Sequence, residues 1–128
     1  MVDLYVVDTH VLIWYFTGSK RLKLALKEKI DETRARNGRL LVPTIVLAEA
    51  LDIAEKGRVQ FDFAEMHRLI REKQEFEIVG LSPEIFNAVV QVQNIPELHD
   101  RIIVATARFY GAGILPKDRV ILESGEGQ

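Results

Sequence analysis

The sequence predicts an α/β domain built on a mostly parallel, helix-covered sheet of four or five short strands. Two observations carry this. The run Leu4-Tyr5-Val6-Val7 is apolar and β-favouring, and it turns at once into a stretch with helical spacing, in which Val11, Leu12, Trp14 and Tyr15 crowd one broad face. Strand-like and helix-like runs then alternate along the whole chain, the pattern of parallel strands joined by helical crossovers. With 128 residues the chain has enough length for one core and too little for two ordinary domains. A single domain over residues 1–123 with a short tail at 124–128 is expected.

The first helix begins after Asp8, which sits just past the carboxyl end of the first strand. In open parallel sheets that edge is where ligands bind. A carboxylate there either caps the helix, a common role for Asp, or faces a cleft. Ser19 can cap a second helix from about Lys20 to Arg36, with Leu22, Leu26, Ile30 and Thr33 stacked on one face, and Asn37-Gly38 stops it in the manner of a left-handed C-cap. Arg39 to Val42 reads as the second strand, and Pro43 as a residue welcome in a first helical turn.

The next helix, Thr44 to Glu55, is apolar nearly all round and is therefore expected to be buried on several sides. Glu49 interrupts it. A carboxylate in that setting is costly unless it is paired, metal-bound or facing a wet cleft. An amphipathic helix from Asp62 to Lys73 follows, with Phe63, Met66, Leu69 and Ile70 facing inward, and then a third strand, Phe76 to Val79. Ser82-Pro83 opens a helix through about Val90, Ser as cap and Pro at the first position. Asn94-Ile95-Pro96 is a loop. The last clear helix follows Glu97, with Leu98, Ile102, Ala105 and Phe109 as its face, joined by Ile103 and Tyr110, and with Asp100 in the first turn, where the helix dipole favours an anion. Gly111-Ala112-Gly113 breaks it. Gly113-Ile114-Leu115 is a fourth strand, Pro116-Lys117-Asp118 the turn at its carboxyl end, and Val120-Ile121-Leu122 a last edge strand.

Composition removes several function classes. There is no cysteine, which excludes disulfides, thiolate catalysis and cysteine-ligated metal sites. No run approaches the ~18 apolar residues of a membrane span, and the first residues read as a strand containing Asp3, not as a signal peptide. The expected compartment is the cytoplasm. The net charge of −2 supplies no overall basic field, so any nucleic-acid binding must come from a local patch.

Four carboxylates stand out: Asp8 after strand one, Asp118 after the fourth strand, Asp100 at the start of the helix leading into it, and Glu49 in the apolar helix. If strands one and four are neighbours where the strand order reverses, Asp8 and Asp118 share a cleft and Asp100 can join them. Carboxylates gathered in this way repel one another unless a cation neutralises them. Oxygen donors without cysteine or paired histidines favour Mg²⁺ or Mn²⁺ over zinc, and such ions suit the hydrolysis of a phosphodiester. Asp is also frequent at helix starts and turns, so spacing alone leaves a purely structural reading open.

Other residues have plainer readings. His10, His67 and His99 are expected to be packed or half-exposed helix residues, and Asp52 a solvated helix acid. Lys56, Arg58, Lys117 and Arg119 can be a phosphate-holding rim or ordinary soluble surface. Trp14, Tyr15 and Phe16 can stack RNA bases, although core or dimer packing suits their helical spacing better.

The stretches Val6-Val7-Asp8-Thr9-His10-Val11-Leu12-Ile13-Trp14, Pro43-Thr44-Ile45-Val46-Leu47-Ala48-Glu49, Leu98-His99-Asp100-Arg101-Ile102-Ile103-Val104-Ala105-Thr106-Ala107 and Ile114-Leu115-Pro116-Lys117-Asp118 resemble, in order and separation, the motifs of the PIN domain family and of its VapC-type toxin ribonucleases. The first and third are fairly specific, and together the four span nearly the whole chain. The resemblance implies a three-layer α/β/α domain with strand order 3-2-1-4-5 and a Mg²⁺- or Mn²⁺-dependent endoribonuclease. It implies Asp8, Glu49, Asp100 and Asp118 as acidic ligands, and Thr9 and Thr106 as hydroxyls near them. Members of the family often form homodimers, and the toxins are silenced by a small antitoxin. Pro116 departs from the pattern, because many relatives carry Thr or Ser before the Lys-Asp. That departure leaves a non-catalytic module for RNA or partner binding as the alternative. A phosphate-accepting receiver domain fits poorly, since strand one ends Asp8-Thr9 without an acidic pair and strand three ends Val79-Gly80 without an Asp.

Overall fold

A computed structural model describes residues 3–115. The Pro116-Lys117-Asp118 turn, the expected edge strand at Val120 to Leu122, and with it the fifth place in the strand order, lie outside the described residues.

The elements run β1 (Leu4–Val7), α1 (Thr9–Thr17), α2 (Leu24–Ala35), β2 (Arg39–Pro43), α3 (Thr44–Glu55), α4 (Phe63–Glu72), β3 (Phe76–Val79), α5 (Pro83–Gln91), α6 (Leu98–Tyr110) and β4 (Gly113–Leu115). The strands form one parallel sheet in the order β3-β2-β1-β4. The protein is thus a three-layer α/β/α domain, as expected. Right-handed crossovers put α1 to α4 on one face of the sheet and α5 and α6 on the other. Val6, Val7, Leu40, Leu41 and Val42 fill the middle layer and are sealed from solvent on both sides, as buried parallel strands require.

Local rules account for several helix boundaries. The Asp62 side chain accepts the Glu65 amide and caps α4, and Ser82 accepts the Ile85 amide and caps α5 with Pro83 at its first position. Asn37 (φ 60°) takes the left-handed turn after α2, and Gly111 (φ 66°) does the same after α6.

Three expectations need correction. The second helix starts at Leu24, not near Lys20, and Ser19 does not cap it: its hydroxyl accepts the Arg21 amide instead. This local side-chain bond holds a turn in place of a first helical turn, and Leu22 beside it is drawn into the core. Helix α3 is not buried all round. Val46, Leu47, Ala50 and Ile53 face inward, whereas Ala48 and Leu51 face solvent; the apolar content exceeds what one sheet face can cover. In α6 the ends of the expected face are exposed, Leu98 at 59% and Phe109 at 51%, while every residue from Ile102 to Ala107 is buried. The middle of this helix lies between the sheet and α5, so its burial follows depth and not one stripe.

Candidate functional site

The strand order reverses between β1 and β4, with β2 and β3 extending to one side of β1 and β4 to the other. That switch point opens a crevice at the carboxyl end of β1. Five residues, from three helices and the N-cap of the first, come to its edge. Asp8 and Thr9 leave β1 directly. Glu49 arrives because α3 starts immediately at the end of the neighbouring strand β2, so its second turn stands beside the start of α1. His99 and Asp100 arrive because α6 precedes β4 and so begins at the same carboxyl edge of the sheet.

Asp8 is 6% exposed. Its Oδ1 accepts the Thr9 amide at 2.7 Å, and its own amide donates to the Leu115 carbonyl at the end of β4 at 3.3 Å. The capping and cleft readings of Asp8 are therefore compatible: one oxygen anchors α1 while the carboxylate faces the switch point. The Thr9 side chain, fully buried, donates from Oγ1 to Glu49 Oε1 at 2.6 Å. Glu49 keeps 40% of its side chain exposed, so it escapes the cost of a fully buried acid by lying at the mouth of the crevice.

Between these carboxylates stands His99, which sequence reasoning set aside as a helix residue. Its Nε2 lies 3.4 Å from Asp8 Oδ1 and also 3.4 Å from Thr9 Oγ1. Glu49 Oε1 is nearer, at 3.1 Å, as an ion-pair contact. The hydrogen bond to Asp8 raises the His99 pKa above its ordinary 6.5; burial opposes this, and the negative charges of Glu49, Asp8 and Asp100 add to it. A single imidazole thus sits where negative charge converges. Its position next to Asp100 in the first turn of α6 was the available sequence signal.

Asp100 is half-buried in the first turn of α6. Asp118 lies outside the described residues. Thr106 is buried and donates from Oγ1 to the Ile102 carbonyl at 2.7 Å, within its own helix. His10 packs its ring 5.7 Å from that of Trp14, and His67 lies 5.6 Å from Phe63. Asp52 pairs with Lys56 at 3.1 Å on the exposed side of α3.

The donor chemistry at the crevice suits a hard divalent cation. Asp8 and Glu49 present oxygens to a shared point now held by the His99 N–H, and Asp100 lies close enough for its charge to act on that imidazole. Among the described residues no three such side chains stand ready-made as a cation cage, so a bound ion requires His99 to move or the set to be completed by further groups.

A family model described as PIN domain matches residues 5–124 of the chain. Among solved structures, the chain is similar to a toxin–antitoxin complex from Klebsiella pneumoniae, with 23% identity, TM-score 0.63, and 90% of this chain and 87% of the other covered. It is also similar to VapBC2 from Rickettsia felis bound to a DNA fragment from their promoter, with 15% identity, TM-score 0.71, and 96% and 94% covered. A third likeness is to a protein from Pyrobaculum aerophilum, with 19% identity, TM-score 0.59, and 97% and 87% covered. At these identities the likenesses speak to the fold. No curated protein matches the chain.

Proposed function

Since the chain belongs to the PIN domain family, we propose that it is a Mg²⁺- or Mn²⁺-dependent endoribonuclease and the toxin half of a toxin–antitoxin pair. The observation that carries the reading is the gathering of Asp8, Glu49 and the start of α6 around one point at the switch-point edge of the sheet. Asp8, Glu49, Asp100 and Asp118 would hold the cation. When bound, such an ion supplies an activated water and neutralises the charge that grows on a phosphodiester under attack.

The chain's own residues prepare that chemistry. The Thr9 amide holds Asp8 and the Thr9 hydroxyl holds Glu49, so one residue orients both carboxylates. The N-terminus of α6 brings the positive end of its dipole toward the same edge. In the overall reaction, the oxygen of water bonds to phosphorus, the bond from phosphorus to the leaving sugar oxygen breaks, and that oxygen takes a proton. A protein antitoxin as partner is supported by the toxin–antitoxin complexes among the structural likenesses. A homodimer and a cytoplasmic setting follow from the same reading; no helix among the described residues is long and apolar enough to cross a membrane.

The test is cleavage of a labelled, mixed-sequence single-stranded RNA with Mn²⁺, with Mg²⁺ and with EDTA, beside Asp100→Asn. Metal-dependent cutting by the wild type that is lost in a folded Asp100→Asn protein is expected. Cutting that survives EDTA, or that Asp100→Asn retains, overturns the assignment. A folded wild type that cuts no RNA with either metal favours the non-catalytic module.

A further inference from the structure

Arg21 and Arg58 follow different helices, yet they line one cavity of about 350 Å³ together with Trp14, Thr17, Ser19 and Gln60. Its size falls within the range of small-ligand sites. Four of the 17 Lys and Arg residues are seen in ion pairs with carboxylates among the described residues: Lys27 with Asp31, Arg34 with Glu75, Lys56 with Asp52 and Arg68 with Glu65 and Glu72. Neither the Arg21 nor the Arg58 guanidinium has a hydrogen-bond or ion-pair partner among the described residues, and both are exposed.

The cavity shares its framework with the carboxylate site. Helices α1 and α3 follow neighbouring parallel strands and pack side by side. Asp8 and Glu49 lie toward the starts of these helices, and the cavity lies at their far ends, with Trp14 about 9 Å along α1 from Asp8 at 1.5 Å per residue. The His10 ring, one turn before Trp14 on α1, packs 5.7 Å from the indole.

A net charge of −2 and a cluster of carboxylates repel a polyanion, so affinity for RNA requires cations placed beside the site. Guanidinium groups suit phosphate through paired N–H donors. An indole offers any base a stacking face. Thr17, Ser19 and Gln60 add hydroxyl and amide groups that bond to sugars or base edges. We propose that this cavity holds one nucleotide of the RNA, its phosphate on Arg21 and Arg58 and its base against Trp14, as a subsite at the opposite ends of α1 and α3 from the cleavage centre. The proposal rests on the ribonuclease reading for the identity of the polymer, but the binding itself is tested without cleavage.

Trp14 is the only tryptophan in the chain, so the intrinsic tryptophan fluorescence comes from the wall of this cavity. The full chain in EDTA is titrated with a single-stranded RNA of about eight nucleotides, within the usual range of single-strand site sizes. Trp14 emission is expected to change on binding. Arg21→Gln and Arg58→Gln are each expected to weaken binding about tenfold and to lower the salt slope by roughly 0.7 per lost phosphate contact. Both side chains are exposed and have no partner among the described residues, so melting should be unchanged. Unchanged Trp14 emission, or unchanged affinity and salt slope in the double variant, overturns the proposal. The two readings fail separately. Cutting with Mn²⁺ and an unaltered KM in the double variant removes the subsite and leaves the nuclease. RNA binding lost in the double variant of a protein that never cuts keeps the subsite and removes the nuclease.

Discussion

The Thr9 hydroxyl donates a 2.6 Å hydrogen bond to Glu49 Oε1, joining two residues 40 positions apart. The same residue's amide holds Asp8 at 2.7 Å. Thr9→Val removes the first bond and keeps the second. Partners of this kind commonly change metal affinity by ~10–100-fold when removed. Calorimetric titration with Mn²⁺ should show a loss of that order, with stability lowered by only about 1 kcal/mol, because the half-open Glu49 recovers hydration. Unchanged Mn²⁺ affinity would show that Glu49 needs no such support.

His99 occupies the point where Asp8 and Glu49 converge. In the metal-free protein its N–H offsets their mutual repulsion, a contribution of about 1 kcal/mol given its partial exposure. His99→Ala should lower the melting temperature in EDTA by roughly 3–6 °C. Saturating Mn²⁺ should restore more stability to this variant than to the wild type, since the cation replaces the lost positive partner. Equal Mn²⁺-induced shifts in the two proteins would mean that His99 and the ion do not share a place.

Tyr15, Asp31, Arg34 and Glu75 tie α1 and α2 to the residues entering β3. The Tyr15 hydroxyl donates to Asp31 at 2.6 Å and accepts from Arg34 at 2.9 Å, and Arg34 reaches Glu75 at 3.0 Å. The Tyr15 hydrogen bond is the main cause that lowers the Asp31 pKa below its ordinary 3.8, with Lys27 and Arg34 adding to it against desolvation. A depressed carboxyl pKa contributes stability that is present above the unfolded value and is lost as pH falls through the folded value. Tyr15→Phe should therefore destabilise the protein slightly near pH 7, by less than about 1 kcal/mol for so exposed a carboxylate. The gap to the wild type should shrink as pH falls below 3.8. Urea melts across that window check it, and a gap that widens on acidification would contradict the assignment.

Two glycines should respond in opposite ways to alanine. At Gly38 a Cβ would stand 2.6 Å from Thr33 Cγ2, 2.7 Å from the Asp3 carbonyl oxygen and 2.9 Å from that of Thr33. Two of these atoms are backbone, so the chain must shift, at about 1–3 kcal/mol. At Gly80 nothing lies within 4 Å and the backbone is not left-handed. Gly80→Ala should be neutral, or stabilising by up to about 1 kcal/mol through a less flexible unfolded chain. Chemical denaturation of both variants tests the pair, and a tolerant Gly38→Ala would show that the β2 entry is looser than its contacts indicate.

What the sequence determined by itself is local. Strand β1, helix α3, the caps at Asp62 and Ser82 and the left-handed stops at Asn37 and Gly111 depend on side chains within a turn of one another. Alternating periods then implied the parallel sheet. Asp8, Glu49 and Asp100 were also legible, as charges in places where a charge is costly or dipole-favoured. Tertiary structure alone decided what those charges meet. His99 read as an ordinary helix residue because its partners Asp8 and Glu49 lie on other helices, brought near only by the crossovers between β1, β2 and β4. The continuous burial of Ile102 to Ala107 had no period to announce it, since depth between two layers and not one face sets it. Trp14, Arg21 and Arg58 likewise form a cavity only because α1 and α3 pack together. Periodicity records which side of an element is wet, and the distances between elements are fixed by how the chain crosses the sheet.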